Sequence, residues 1–84
     1  MLTDGFNHVA VLTGDMDRFI AFCANTFGAE LVVDFVEEGR PRFCILSVGP
    51  VAELNVFEID GNDEHAKQVP MFGRGRLDHL ALRA

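Results

Sequence analysis

From Phe6 to Thr13 apolar side chains recur so that an extended backbone puts Val9 and Val11 on one face and His8 and Ala10 on the other. The period then lengthens. Met16, Phe19, Ile20, Cys23 and Phe27 fall at i, i+3, i+4, i+7 and i+11, the apolar stripe of a helix, which predicts Phe19, Ile20, Cys23 and Phe27 against a sheet. Asp15 stands where a side-chain oxygen can cap the first turn, and Gly28 where a left-handed residue can end the last. Three more strand patterns follow, Glu30 to Glu37, Arg42 to Val48 and Ala52 to Ile59. The intervening "EGRP" and "GP" are turn chemistry, short enough to join antiparallel neighbours. The predicted order is β-α-β-β-β, an α+β module over residues 1–59.

Residues 60–76, "DGNDEHAKQVPMFGRGR", are rich in Gly, Pro and charge and read as a linker loop. After it, "LDHLALRA" (residues 77–84) repeats the pattern of "FNHVAVLT" (residues 6–13): apolar, Asn or Asp, His, aliphatic, Ala, aliphatic. The two histidines of this repeat, His8 and His79, are 71 residues apart. Residues 77–84 are therefore expected to be a fifth strand, the first of an incomplete second module.

Length and charge narrow the functional classes. Eighty-four residues hold one small core, and 49% hydrophobic residues with eight Phe mark a globular chain, not a disordered one. With 13 acidic against 7 basic residues, net charge −6, the surface repels phosphate backbones, so no nucleic-acid partner is expected. No leader pattern opens the chain and no apolar run approaches the ~20 residues of a membrane span, so the expected setting is cytoplasmic, with no membrane partner. Cys23 and Cys44 lack any Cys-x-x-Cys or Cys/His cluster and are expected to be buried, reduced thiols.

The ordered set "FNHVAVLT", "MDRFIAFCANTFGAE", "LNVFEID" and "LDHLALRA" resembles the vicinal oxygen chelate superfamily, the glyoxalase, bleomycin-resistance and ring-cleaving dioxygenase group. The resemblance covers essentially the whole chain and implies paired βαβββ modules. It also implies a small molecule in the hollow of a curved sheet and a divalent metal (Zn, Fe, Ni or Mn) held there by His and carboxylate ligands of both modules. Imidazole and carboxylate suit such metals, and open coordination positions would let two substrate oxygens chelate. His8 matches the family's first-strand ligand and His79 its counterpart in the second module. A lone histidine more often only hydrogen-bonds inside a polar cavity; two at equivalent repeat positions leave both readings open.

The carboxylate ligand is where the pattern departs. In "LNVFEID" the expected Glu position holds Asn55, whose amide oxygen is the poorer ligand, and Glu53, two residues earlier on the same face, is the alternative. Glu58 has the opposite parity and reads as a solvated charge. Candidate substrate-binding residues are Asn55 and Phe57, with Arg74 and Arg76 at the mouth of the hollow for an anionic group. His65 reads as surface, and Met71 with Phe72 as a flap or as a pair docked on the core. Ser47 has no acid or His at a telling spacing, so no nucleophile is expected. The functions in view are a metal-dependent lyase, isomerase or dioxygenase acting on an oxygen-chelating substrate, a metal-free binding or sequestration module, and an inactive fragment. Unpaired sheet edges predict a homodimer, formed by edge pairing or by exchange of residues 77–84, with sites between chains.

Overall fold

The computed structural model describes residues 1–62, 72–75 and 79–84. In it β1 (His8–Thr13), α1 (Met16–Phe27), β2 (Glu30–Phe35), β3 (Phe43–Ser47) and β4 (Glu53–Glu58) follow one another in the predicted order. They form one four-stranded sheet in the order β1-β4-β3-β2. The two short connections join antiparallel neighbours, β2 with β3 and β3 with β4, while β1 lies parallel to β4. The last strand of the module is thus inserted beside the first, which a local pattern does not reveal.

α1 starts and stops by side-chain and backbone capping. Asp15 is extended (φ −146°, ψ 96°) and its carboxylate accepts from the Arg18 amide, while Gly28 takes the left-handed conformation (φ 71°) and donates to Ala24 O. The Met16 amide, another donor of the first turn, is taken by Glu58 Oε2 at 2.6 Å. Glu58 is therefore no solvated charge: its opposite parity turns it to the helix side, where a carboxylate satisfies an otherwise orphan N–H.

One face of the sheet is closed by α1. Met16 and Cys23 of the helix, with Ala29, Cys44, Leu46, Leu54 and Val56, form the buried core, and Val9, Val11, Phe19, Ile20 and Val48 pack around it. Phe27 departs from the predicted stripe: it is 40% exposed, on the wall of an open cleft that it lines with Glu30 and the Ser47–Gly49 corner. Both cysteines are free and buried, as the sequence suggests.

The fifth strand is not part of this sheet. Residues 79–84 make no strand, and residues 77 and 78 lie outside the described residues. A strand exists only through a ladder partner. Instead, Leu80 to Ala84 line an open groove with Phe6, His8, the Val48–Val51 turn and Glu53. Of the predicted linker, residues 60–62 and 72–75 are described, and Phe72 is exposed there with φ 68° instead of docked on the core. His65, Met71 and Arg76 lie outside the described residues. No helix among the described residues is long and apolar enough to cross a membrane.

Candidate functional site

The face of the sheet turned away from α1 follows from register alone, since residues opposite each other on neighbouring strands share a face. Its first row is His8, Glu53, Ser47 and Glu30, reading from β1 across β4 and β3 to β2. The second is Ala10, Asn55, Ile45 and Val33. The third is Leu12, Phe57, Phe43 and Phe35. A bulge between Leu31 and Val33 keeps the outer strand in phase with the others, so that Val33 and Phe35 join the open face and Asp34 points to the helix side. The face therefore grades from polar and acidic at one end to aromatic at the other.

At the aromatic end the Phe43 and Phe57 rings are packed with centroids 4.9 Å apart and planes tilted by 38°, an attractive offset arrangement. Phe35 (49%) and Leu12 (54%) extend the apolar surface while remaining open to solvent. Arg40 and Pro41 border this end, and Arg40 is paired with Glu37 at 3.4 Å. In the middle row Asn55 Oδ1 is buried and has no hydrogen-bond partner among the described residues. A buried, unsatisfied amide oxygen costs about 1–3 kcal/mol. Such a group in a folded protein calls for an explanation, and a missing ligand donor is one.

At the polar end His8 Nδ1 donates to Asn7 Oδ1 at 2.9 Å, which leaves Nε2 as the ring nitrogen outside that bond. Glu53 is the register partner of His8 on the adjacent strand. These two have the donor chemistry that Zn, Fe, Ni or Mn would take. Among the described residues, no group of three or more His, Cys, Asp or Glu side chains is placed to hold a metal ion. Asn55 offers only a neutral amide oxygen, and His79 is exposed and outside the sheet. The described residues of one chain therefore do not by themselves fit a metal centre.

The sequence-predicted residues divide accordingly. His8, Glu53, Asn55 and Phe57 are brought onto one face by β1 and β4. His79 and Arg74 lie elsewhere in the described chain, both exposed, and Arg76 lies outside it. Sequence reading missed Phe43, Phe35 and Leu12, which complete the row of Phe57 only through the non-local register. It also missed a polar cluster on the helix side. Arg42 donates to both oxygens of Asp34 (3.0 and 2.9 Å) and to Asp17 of α1 (2.8 Å), and Cys44 Sγ donates to Asp34 Oδ1 at 3.3 Å. The Arg42 hydrogen bonds, with the Cys44 bond second, hold the Asp34 carboxyl below the usual range. Desolvation, reinforced by the Asp34 bond, pushes the Cys44 thiol up to about 11, so it is an inert core thiol and no nucleophile.

The crystal structure of SMU.1112c has the same fold, with a TM-score of 0.58 and 21% identity over 99% of this chain and 62% of that one. This chain thus spans less than two thirds of the length of that protein. No curated protein matches it. The family model of the Glyoxalase/Bleomycin resistance protein/Dioxygenase superfamily matches residues 5–84. With the βαβββ order, the helix on one face and the other face open, that match establishes that the chain belongs to the Glyoxalase/Bleomycin resistance protein/Dioxygenase superfamily.

Proposed function

We propose that the open face of the sheet is a hollow for a small organic molecule and that the chain acts as a ligand-binding module of its superfamily. The observation that carries this reading is the unpartnered Asn55 Oδ1 in the middle row, set between an acidic row and an aromatic one. The two free thiols suit a reducing compartment, the cytoplasm.

Nuclear magnetic resonance of the methyl groups and of the Asn55 side-chain amide, during titration with a library of aromatic fragments, tests the reading. Saturable shifts at Ala10, Leu12, Val33, Ile45 and Asn55, with Val11, Leu46 and Val56 unmoved, are the expected outcome. Shifts confined to the helix side, or none that saturate, overturn it.

A second reading rests on a specific placement, the facing of His8 and Glu53 on parallel neighbours. Two copies of the chain, paired through their free sheet edges or by exchange of the segment after the linker, would offer His8, Glu53 and His79 twice to one divalent metal. Such a metal would supply Lewis-acid chemistry to a lyase, isomerase or dioxygenase reaction. Sedimentation over a wide dilution range and metal analysis of protein dialysed against Zn²⁺, Fe²⁺, Ni²⁺ or Mn²⁺ test it. A dimer holding about one equivalent per site, lost in His8→Ala and His79→Ala, is expected. Unchanged uptake in both variants, or a stable monomer at all dilutions, rejects it.

A further inference from the structure

We propose that the free edge of β2 pairs with β2 of a second copy of this chain, antiparallel about a two-fold axis that passes beside Phe35, so that the two sheets become one. The contact lies at the opposite edge from β1, goes beyond the hollow reading above, and keeps the two His8 side chains at the far ends of the joint sheet.

The two edges of the sheet differ. β1 alternates exposed and half-buried residues, and Leu80 to Ala84 line a groove beside its start. Among the described residues β2 is paired on one side only, with β3, and every one of its residues is exposed. The cover of α1 stops short of it: Leu31 is 45% exposed although its ladder partner Leu46, on the same face, is buried. From Leu31 to Val36 only Asp34 interrupts the apolar run, and no Lys, Arg, Pro or Gly blunts residues 30–38. Such an edge holds a row of backbone N–H and C=O groups, flanked by apolar side chains, ready for another strand.

Charge identifies that strand and its register. In an antiparallel ladder closed by a two-fold axis normal to the sheet, one residue faces itself, and residues opposite each other share a face. With Val33 at the axis, the bulge between Leu31 and Val33 enters the ladder. With Asp34 there, two carboxylates face each other and Glu30 faces Glu38. With Val36, Asp34 faces Glu38. Only Phe35 keeps acid from acid: Asp34 faces Val36, Glu37 faces Val33, and the hairpin tip with Arg40 comes alongside Glu30 of the other copy. The same register joins the row of Leu12, Phe57, Phe43 and Phe35 to its symmetry mate and leaves Asp34 to its bonds with Arg42. A foreign peptide would complete the ladder without extending that row, so the strand carries its own complement.

Sedimentation velocity of the 84-residue chain over a wide dilution range, for the parent and for Phe35→Lys, tests the contact, with circular dichroism to check that the variant is folded. The parent is expected to pass from monomer to dimer. Phe35→Lys sets two ammonium groups face to face and should dimerise at least about tenfold more weakly. Cross-linking tests the register whether or not that variant folds. Facing Cα atoms lie about 4.5–5.5 Å apart, within disulfide reach, so Phe35→Cys should give a covalent dimer under mild oxidation. Leu12→Cys, about equally exposed at the other edge, should not, and the parent gives the background of its two buried cysteines. A parent that is monomeric throughout, or equal cross-linking of both cysteine variants, overturns the proposal. So does an undiminished dimer in Phe35→Lys, which places the contact elsewhere. A monomeric parent that binds a labelled heptapeptide of alternating Lys and Val transfers the edge to a foreign strand and overturns it as well.

Discussion

The two faces of one sheet handle their polar groups in opposite ways. On the helix side the groups that border the core are paired: Glu58 takes the Met16 amide, and Asp34 receives Arg42 and the Cys44 thiol. On the open side Asn55 Oδ1 is buried and unpaired among the described residues, while Phe35 and Leu12 stay about half exposed. The strands are the same and so is their alternation. What differs is the partner: α1 supplies Met16, Cys23, Phe19 and Ile20 to one face, and within the described chain no element supplies anything comparable to the other. Local consistency fails on the face where an outside molecule would complete it, which is where function is expected to depart from stability.

The largest expected contrast is between two leucines. Leu46→Ala removes a side chain that is 1% exposed and should cost about 2–5 kcal/mol. Leu12→Ala, on the open face at 54% exposure, should change stability by only about 0.5 kcal/mol or less. Urea denaturation of the two variants measures the gap, and equal losses would break the comparison between faces.

Next in size is the helix cap. Glu58→Ala leaves the Met16 amide without its carboxylate and should cost about 0.5–2 kcal/mol. A melt unchanged from the parent would return Glu58 to the solvated role its strand-end position suggests. The third test has the opposite sign. Asn55→Leu removes an unsatisfied acceptor and should stabilise the protein by about 1 kcal/mol. A loss of stability would mean that the amide has partners in solution and that the open face is not under-satisfied.

The smallest effect is electrostatic. Because Asp34 is held below the usual carboxylate range, its stabilisation is present above that range and is lost as pH falls through the lowered folded value. Asp34→Asn should therefore flatten the acid limb of the stability profile and leave its shape above pH 6 unchanged. Asp17 is largely exposed, so salt should weaken its share. Urea midpoints from pH 7 to 2, at low and high salt, measure both. An acid limb identical to the parent's would remove Arg42 and Asp34 from the forces that hold β2 and β3 together.

Element order was legible from the sequence because its signals are local. The stripe from Met16, the cap at Asp15 and the stop at Gly28 are contained in one helix, and alternation assigns Val9 and His8 to opposite faces whatever the strand pairs with. The same parity correctly placed His8, Glu53 and Asn55 on one side. Phe27 and residues 79–84 show where local signals stop. A residue can keep the helical period and still overhang the sheet, and a strand-like pattern makes a strand only when a ladder partner is there.

By itself, then, the sequence determined the β-α-β-β-β order, the sides taken by the residues of β1 and β4, and the superfamily pattern those imply, whereas the bulge between Leu31 and Val33 breaks the alternation in β2. Only the tertiary structure decided that β4 inserts between β1 and β3, which sets Glu53 beside His8, joins Phe57 to Phe43 and Phe35, and brings Glu58 to a helix that begins 42 positions earlier. Strand neighbours and register are chosen by burial and hydrogen bonding summed over the whole sheet, and no window of local sequence contains that sum.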